Sequence, residues 1–173
     1  MNRIFPGNSE GSMAEYIASK IIDDVKGSDL CFDIHASNIF LREIPQVRIN
    51  ELCKDTLLPY AKRLNIDYVW VHGAATVLEA TFAHSLNMIG TSVLVVEMGV
   101  GMRVTKEYCK QLVDGSFVEM KELGMWQGEV ITPKDPLIST DGEVHYLNAG
   151  YAGIFLPTEE HWTNVKKGDT IGE

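Results

Sequence analysis

Three short apolar runs in this chain each close on a side chain that can carry a proton or hold a metal: residues 30–35 end at His35, residues 66–72 at His72 and residues 91–97 at Glu97. Their β-branched and aromatic content reads as strand. Open α/β sheets collect ligands beyond the carboxyl ends of their strands, so residues at such tips are the first candidates for a site. Glu97 follows six mostly apolar residues. A carboxylate at the border of a core loses hydration, its pKa rises, and it becomes a better proton shuttle near neutrality. The competing reading has Glu97 emerging into solvent or pairing with Arg103. His35 stands two residues after Asp33, so both side chains share one face of the strand. A neutral imidazole backed by a carboxylate is a candidate metal ligand. The competing reading is a hydrogen-bonded core histidine. His72, next to Gly73, suits a turn as well as a site. His84, His145 and His161 are assigned no role.

Several chemistries are excluded by what is missing. There is no H-E-x-x-H, and the residues three after each histidine are Asn38, Ala75, Asn87, Asn148 and Asn164, so no H-x-x-E pair exists either. A catalytic zinc usually needs three protein ligands, and the chain offers one good candidate and no local pair. No G-x-S-x-G elbow and no phosphate-binding P-loop is present. Gly99 and Gly101 form a lone G-x-G after a strand, too weak a pattern for a dinucleotide site.

The framework around these residues can be read from periodicity. Ser12 and Glu15 form a capping box, and Met13, Tyr16, Ile17, Ile21, Ile22 and Val25 fall at helical spacing before Gly27. Asn50 caps a further helix running to about residue 64, with Pro59 in its middle. Thr76 and Glu79 make a second capping box for a helix reaching about Met88. Residues 91–97 form a continuous rather than alternating apolar run, which predicts burial on both faces, as in a parallel sheet. A helix over residues 105–123 comes next, with Gly115 as a weak point. From Trp126 the segments shorten and Gly and Pro become frequent. Strands are predicted over residues 128–132, 143–148 and 153–157, and Asp141-Gly142 is a hairpin signal. The expected fold class is α/β: a mixed, largely parallel sheet flanked by helices over residues 1–126, then a β-rich part over residues 127–173.

The chain has 173 residues, 15 Lys plus Arg and 24 Asp plus Glu, a net charge of −9. That balance argues against a nucleic-acid backbone or an anionic membrane as the main partner. With 45% apolar residues and 23% charged ones, the composition is that of a globular chain. No apolar run approaches the ~20 residues of a membrane span. The first eight residues show no apolar core and no small-residue cleavage site, so no signal peptide is expected. Cys31, Cys53 and Cys109 are odd in number and far apart, as for reduced thiols in a cytoplasmic protein.

Four motifs occur in order: Asn2-Arg3-Ile4-Phe5-Pro6-Gly7, Gly11-Ser12, Phe32-Asp33-Ile34-His35 and Val96-Glu97-Met98-Gly99. In that order and spacing the chain resembles the succinylglutamate desuccinylase/aspartoacylase family, a branch of the zinc carboxypeptidase fold. Residues 148–155 and 165–172 are similar to the family's C-terminal, barrel-sandwich-like domain. The resemblance implies a zinc-dependent hydrolase of amide bonds in small N-acyl amino acids. It implies His35 as a zinc ligand, Glu97 as the general base that takes a proton from water and gives it to the leaving amine, and Asn2 with Arg3 as the grip on a substrate carboxylate. The family's other two zinc ligands, an upstream H-x-x-E pair, have no counterpart here, and the tail stops inside the barrel-like pattern. The resemblance therefore implies a chain truncated at both ends. Missing strands would leave an open sheet edge and promote self-association.

Two other readings stay open. The absent H-x-x-E suits a non-catalytic binding or assembly module that keeps the fold without the metal. The barrel-like tail suits a carrier domain, although Lys166-Lys167 lacks the pattern of a modification site.

Overall fold

The computed structural model describes residues 2–73 and 79–173. α1 (Met13–Val25) starts where the capping box places it. The Ser12 hydroxyl accepts from the Glu15 amide, and the Glu15 carboxylate accepts from the Ser12 amide at 2.7 Å. Two donors that the first turn would otherwise leave unpaired are thereby satisfied. Before it, the segment through Gly7 lies tightly on α1. A Cβ at Gly7 would meet the Glu15 carbonyl oxygen at 2.3 Å, and its φ of +84° suits glycine.

The three expected strands form as β1 (Cys31–His35), β3 (Tyr68–His72) and β4 (Val93–Gly99). β2 (Glu43–Asn50) is a further strand, absent from the elements expected above. The Asn50 side chain accepts from the Leu52 amide at 2.9 Å and opens a 3-10 turn, Glu51–Cys53, that leads into α2 (Lys54–Arg63). Pro59 does not end α2, whose inward residues Leu57 and Ala61 are fully buried in the core. The helix read from Thr76 is shorter than expected. α3 (Phe82–Asn87) begins at Thr81, whose hydroxyl accepts from the His84 amide. Thr76 itself lies outside the described residues. α4 (Lys106–Glu122) matches its expected span to within a residue.

The sheet runs β1-β4-β2-β3-β5, with β5 at Leu137–Thr140. Pairs β1·β4, β2·β3 and β3·β5 are parallel, and the central pair β2·β4 is antiparallel. The register of β2·β4 shifts between Glu43 and Gln46, around Pro45, which has no amide for the ladder. Two strands therefore run one way and three the other. One face of the sheet packs Val47, Ile49, Val69, Val71, Leu94 and Val96 against Leu57, Ala61 and Leu64 of α2 and its end and Leu112 of α4. The opposite face packs Val93, with Val95 at its edge, against Phe5, Ala18 and Ile22, and against Ala83 and Leu86 of α3. β4 is thus buried from both sides, as its continuous apolar run predicts.

The first compact unit, Met1–Glu143, extends past Trp126 because Leu137–Thr140 joins the sheet beside β3. Asp141–Glu143 is a 3-10 turn rather than a hairpin tip. The Glu143 carboxylate accepts from the Thr140 amide at 2.7 Å and closes the turn. The second unit, Val144–Glu173, carries one isolated antiparallel bridge, Pro157 to Gly172, flanked by hydrogen bonds between Leu156 and Glu173. Strands expected over 128–132 and 143–148, and the full run 153–157, are not formed. A short extended segment without a paired neighbour gains too little to hold strand geometry.

Candidate functional site

Register places the site. In β1·β4 the Cα partners include Asp33 with Val95 and His35 with Glu97. In β2·β4 Arg48 is opposite Val95, and in β2·β3 Arg48 is beside Trp70 and Asn50 beside His72. Side chains alternate along a strand, so 33, 35, 48, 50, 70, 72, 95 and 97 all emerge on one face. A cavity of ≈ 310 Å³ lies over that face and is lined by these residues, and also by Asn2, Arg3, His84 and Asp141. The site therefore does not sit beyond a common set of strand tips. β3 runs against β1 and β4, so His72 ends at the opposite end of the sheet from His35 and Glu97. All three reach the same hollow because they share a face, not an edge.

Glu97 is half-buried, and burial pushes its carboxyl above the ordinary 4.5, the shift a proton carrier needs. The Arg48 guanidinium acts against that shift, with Nη1 3.7 Å from Glu97 Oε1, while the negative charge of Glu43 adds to it. The partner of Glu97 is thus Arg48, not Arg103. Arg48 Nη2 pairs with Glu43 Oε1, and Gln46 Nε2 donates to the same oxygen at 3.2 Å.

His35 and Asp33 meet as their spacing predicts, with Nε2 3.0 Å from Oδ1. The Asp33 hydrogen bond raises the imidazole pKa, with burial acting the other way. Further along the face, Trp70 Nε1 donates to Asp141 Oδ1 at 2.8 Å, and the Gly73 amide donates to Asp141 Oδ2 at 2.7 Å. Asn2 and Arg3 are exposed, but Phe5, two residues after Arg3, anchors the segment. Phe5 is buried, and its amide donates to the Ala80 carbonyl at 3.2 Å. Arg3 Nη1 donates to the Asn2 carbonyl at 2.9 Å.

A zinc ion is what the resemblance implies here, so the donor set decides the fit. His35 offers one imidazole with a carboxylate behind it, the arrangement that orients a metal-bound histidine. Among the described residues, however, no group of three or more His, Cys, Asp or Glu converges to hold an ion. The described residues do not complete a zinc centre on their own.

Arg48, Glu43, Trp70 and Asp141 carry no role in the sequence reading above. A signal for the first exists: Gln46, Arg48 and Asn50 alternate with Val47 and Ile49, the period-two pattern of a strand with one polar face. Trp70 reads only as strand composition, and Asp141 only as half of a turn.

Residues 1–122 match the profile of the Succinylglutamate desuccinylase/Aspartoacylase catalytic domain. A succinylglutamate desuccinylase from Silicibacter sp. TM1040 superposes with a TM-score of 0.81 at 19% identity, over 99% of this chain and 53% of that one. The product-bound ectoine utilization protein EutE (DoeB) from Ruegeria pomeroyi gives 0.80 at 20% identity, over 99% and 53%. A succinylglutamate desuccinylase/aspartoacylase from Rhodobacter sphaeroides gives 0.76 at 22% identity, over 99% and 54%. A comparison with curated proteins finds no match. The chain spans about half the length of these solved relatives, and at such identities they show its fold. The domain match covers most of the sequence, and the chain belongs to the succinylglutamate desuccinylase/aspartoacylase family.

Proposed function

We propose that this chain acts in the hydrolysis of the amide bond of small N-acylated amino acids. Glu97 is the proton carrier, His35 one ligand of a zinc ion, and Asn2 with Arg3 the grip on a substrate carboxylate. The observation that carries this reading is the placement of His35 and Glu97 as register partners facing one cavity, which Asn2 and Arg3 also line. The names of the family and of its solved relatives, desuccinylase and aspartoacylase, supply the substrate class.

The chain's own residues carry the proton and orient the substrate. Glu97 takes a proton from the attacking water as the water oxygen bonds to the amide carbonyl carbon. The same proton then passes to the amide nitrogen as the C–N bond breaks, releasing a carboxylic acid and an amine. A carboxyl raised by burial accepts and returns a proton near neutrality more readily than an ordinary one. Arg3 presents a planar donor fork suited to a carboxylate. Zinc held at His35 would supply Lewis acidity to this chemistry.

Three finer statements belong to the same reading. Residues 144–173 are barrel-sandwich-like, supported by the Leu156–Glu173 pairing. A cytoplasmic setting is supported by three unpaired cysteines. Self-association through β1 or β5 is supported by their place at the edges of the sheet.

A second reading, a binding or assembly module without metal, is favoured by the lack of a converged ligand group among the described residues. Zinc titration of the protein separates the two. The hydrolase reading expects one equivalent bound, lost in His35→Ala. Absence of binding supports the module, and binding unchanged by that substitution removes His35 from the metal site.

A further inference from the structure

No motif points to Arg48, yet it is the most constrained cation on the cavity face. Its two terminal nitrogens address different carboxylates, Nη2 pairing with Glu43 and Nη1 lying 3.7 Å from Glu97. Its guanidinium lies over the Trp70 ring, 5.4 Å from the centroid. Its Nε is buried and has no hydrogen-bond partner among the described residues. Glu43 is 8% exposed and is held by Gln46 as well, so it is a fixed anchor rather than a mobile surface acid. Trp70 is fixed in turn by Asp141, which also ties down the Gly73 amide. A continuous line of contacts thus runs Asp141–Trp70–Arg48–Glu97.

Such a line suits orientation better than ligand capture. Two glutamates already compensate the guanidinium, so an incoming anion meets little net positive charge there. Glu97, by contrast, has three rotatable bonds and a task with strict geometry. A general base must come within about 2.6–3.2 Å of the proton it takes. A 1 Å misplacement can cost on the order of 10²-fold in rate. A planar fork that bridges an anchored carboxylate and a working one removes that freedom. Lysine, a single point charge, reaches only one of the two.

We propose that Arg48, braced by Glu43 and Trp70, is a positioning residue that holds the Glu97 carboxylate toward the cavity. The proposal rests on the reading of Glu97 as proton carrier. Nitrogen-15 NMR of arginine side chains in the 173-residue chain tests the brace without requiring activity. The expected result is hindered rotation of the Arg48 guanidinium, seen as separately resolved Nη groups. That resolution is lost in both Glu43→Gln and Glu97→Gln. Rotation as free as that of Arg103, or no change in Glu97→Gln, overturns the proposal. In a hydrolysis assay of the protein, Arg48→Lys is expected to lower kcat while KM stays near that of the parent, and no rescue relative to Arg48→Met is expected. A raised KM with unchanged kcat, or full rescue by lysine, also overturns it. The failure of the underlying reading looks different: Glu97→Gln hydrolyses as fast as the parent, while the parent still shows the hindered Arg48 rotation and both substitutions still abolish it.

Discussion

Glu119 lies in α4 at 1% exposure, an unusual setting for a carboxylate. Arg63 Nη2 and Nε reach its Oε2 at 3.0 and 3.2 Å, and its Oε1 is buried with no partner among the described residues. Burial raises its pKa above the ordinary 4.5, and Arg63 only partly opposes the shift. A folded-state pKa above the unfolded one means that the protonated form favours the fold. The stabilisation is complete below the unfolded value and is lost as pH rises through the folded one. The stability of Glu119→Gln relative to the parent is therefore expected to climb from about pH 4.5 upward. Urea unfolding of both proteins from mildly acidic to neutral pH measures that slope, and a flat or falling difference contradicts the assignment. At the same scale, His35 and Glu97 were legible in the sequence because each is a titratable residue closing an apolar run. Arg48 and Glu43 were not, because their importance lies in partners brought together by strand pairing. Nothing in the order of residues says that Arg48 stands opposite Val95.

Gly115 shows how an element can be read correctly and one of its residues misjudged. In an isolated helix it is a weak point, and alanine there would add about 0.5–1 kcal/mol of stability. In the fold, a Cβ at this position would fall 1.9 Å from the Leu64 carbonyl oxygen, at the end of α2. The glycine is what lets α4 approach that backbone. Gly115→Ala is accordingly expected to destabilise, by about 1–3 kcal/mol as overpacking of a core does, and urea unfolding reads the sign directly. A more stable variant would mean that the helices are not in close contact there. The other elements divide in the same way. Strands with a pure apolar signal, β1, β3 and β4, were legible, as was the Ser12 capping box. β2 was obscured because Glu43, Ile44 and Pro45 break its alternation before Gln46 begins it. β5 was hidden in a stretch rich in Gly and Pro, since its pairing with β3 is a contact between distant parts of the chain.

For the molecule as a whole, strand direction decides where a site can be. The antiparallel β2·β4 pair divides the sheet into halves of opposite polarity, so no single edge gathers all the carboxyl ends. The hollow lies instead over a face, open where helices do not cover it. Among the described residues no helix is long and apolar enough to cross a membrane. The fold class was legible because helix and strand periods alternate in order. Strand polarity was not, because periodicity is silent about direction. Under the proposed function, Glu97, facing this hollow beside His35, carries the proton of an amide hydrolysis. The measurement that bears on it is kcat for hydrolysis of an N-acyl amino acid by the protein, parent against Glu97→Gln, with an unchanged fold verified by circular dichroism. A fall of about 10²–10⁴-fold is expected, the usual weight of a general base; equal rates would remove Glu97 from the path of the proton.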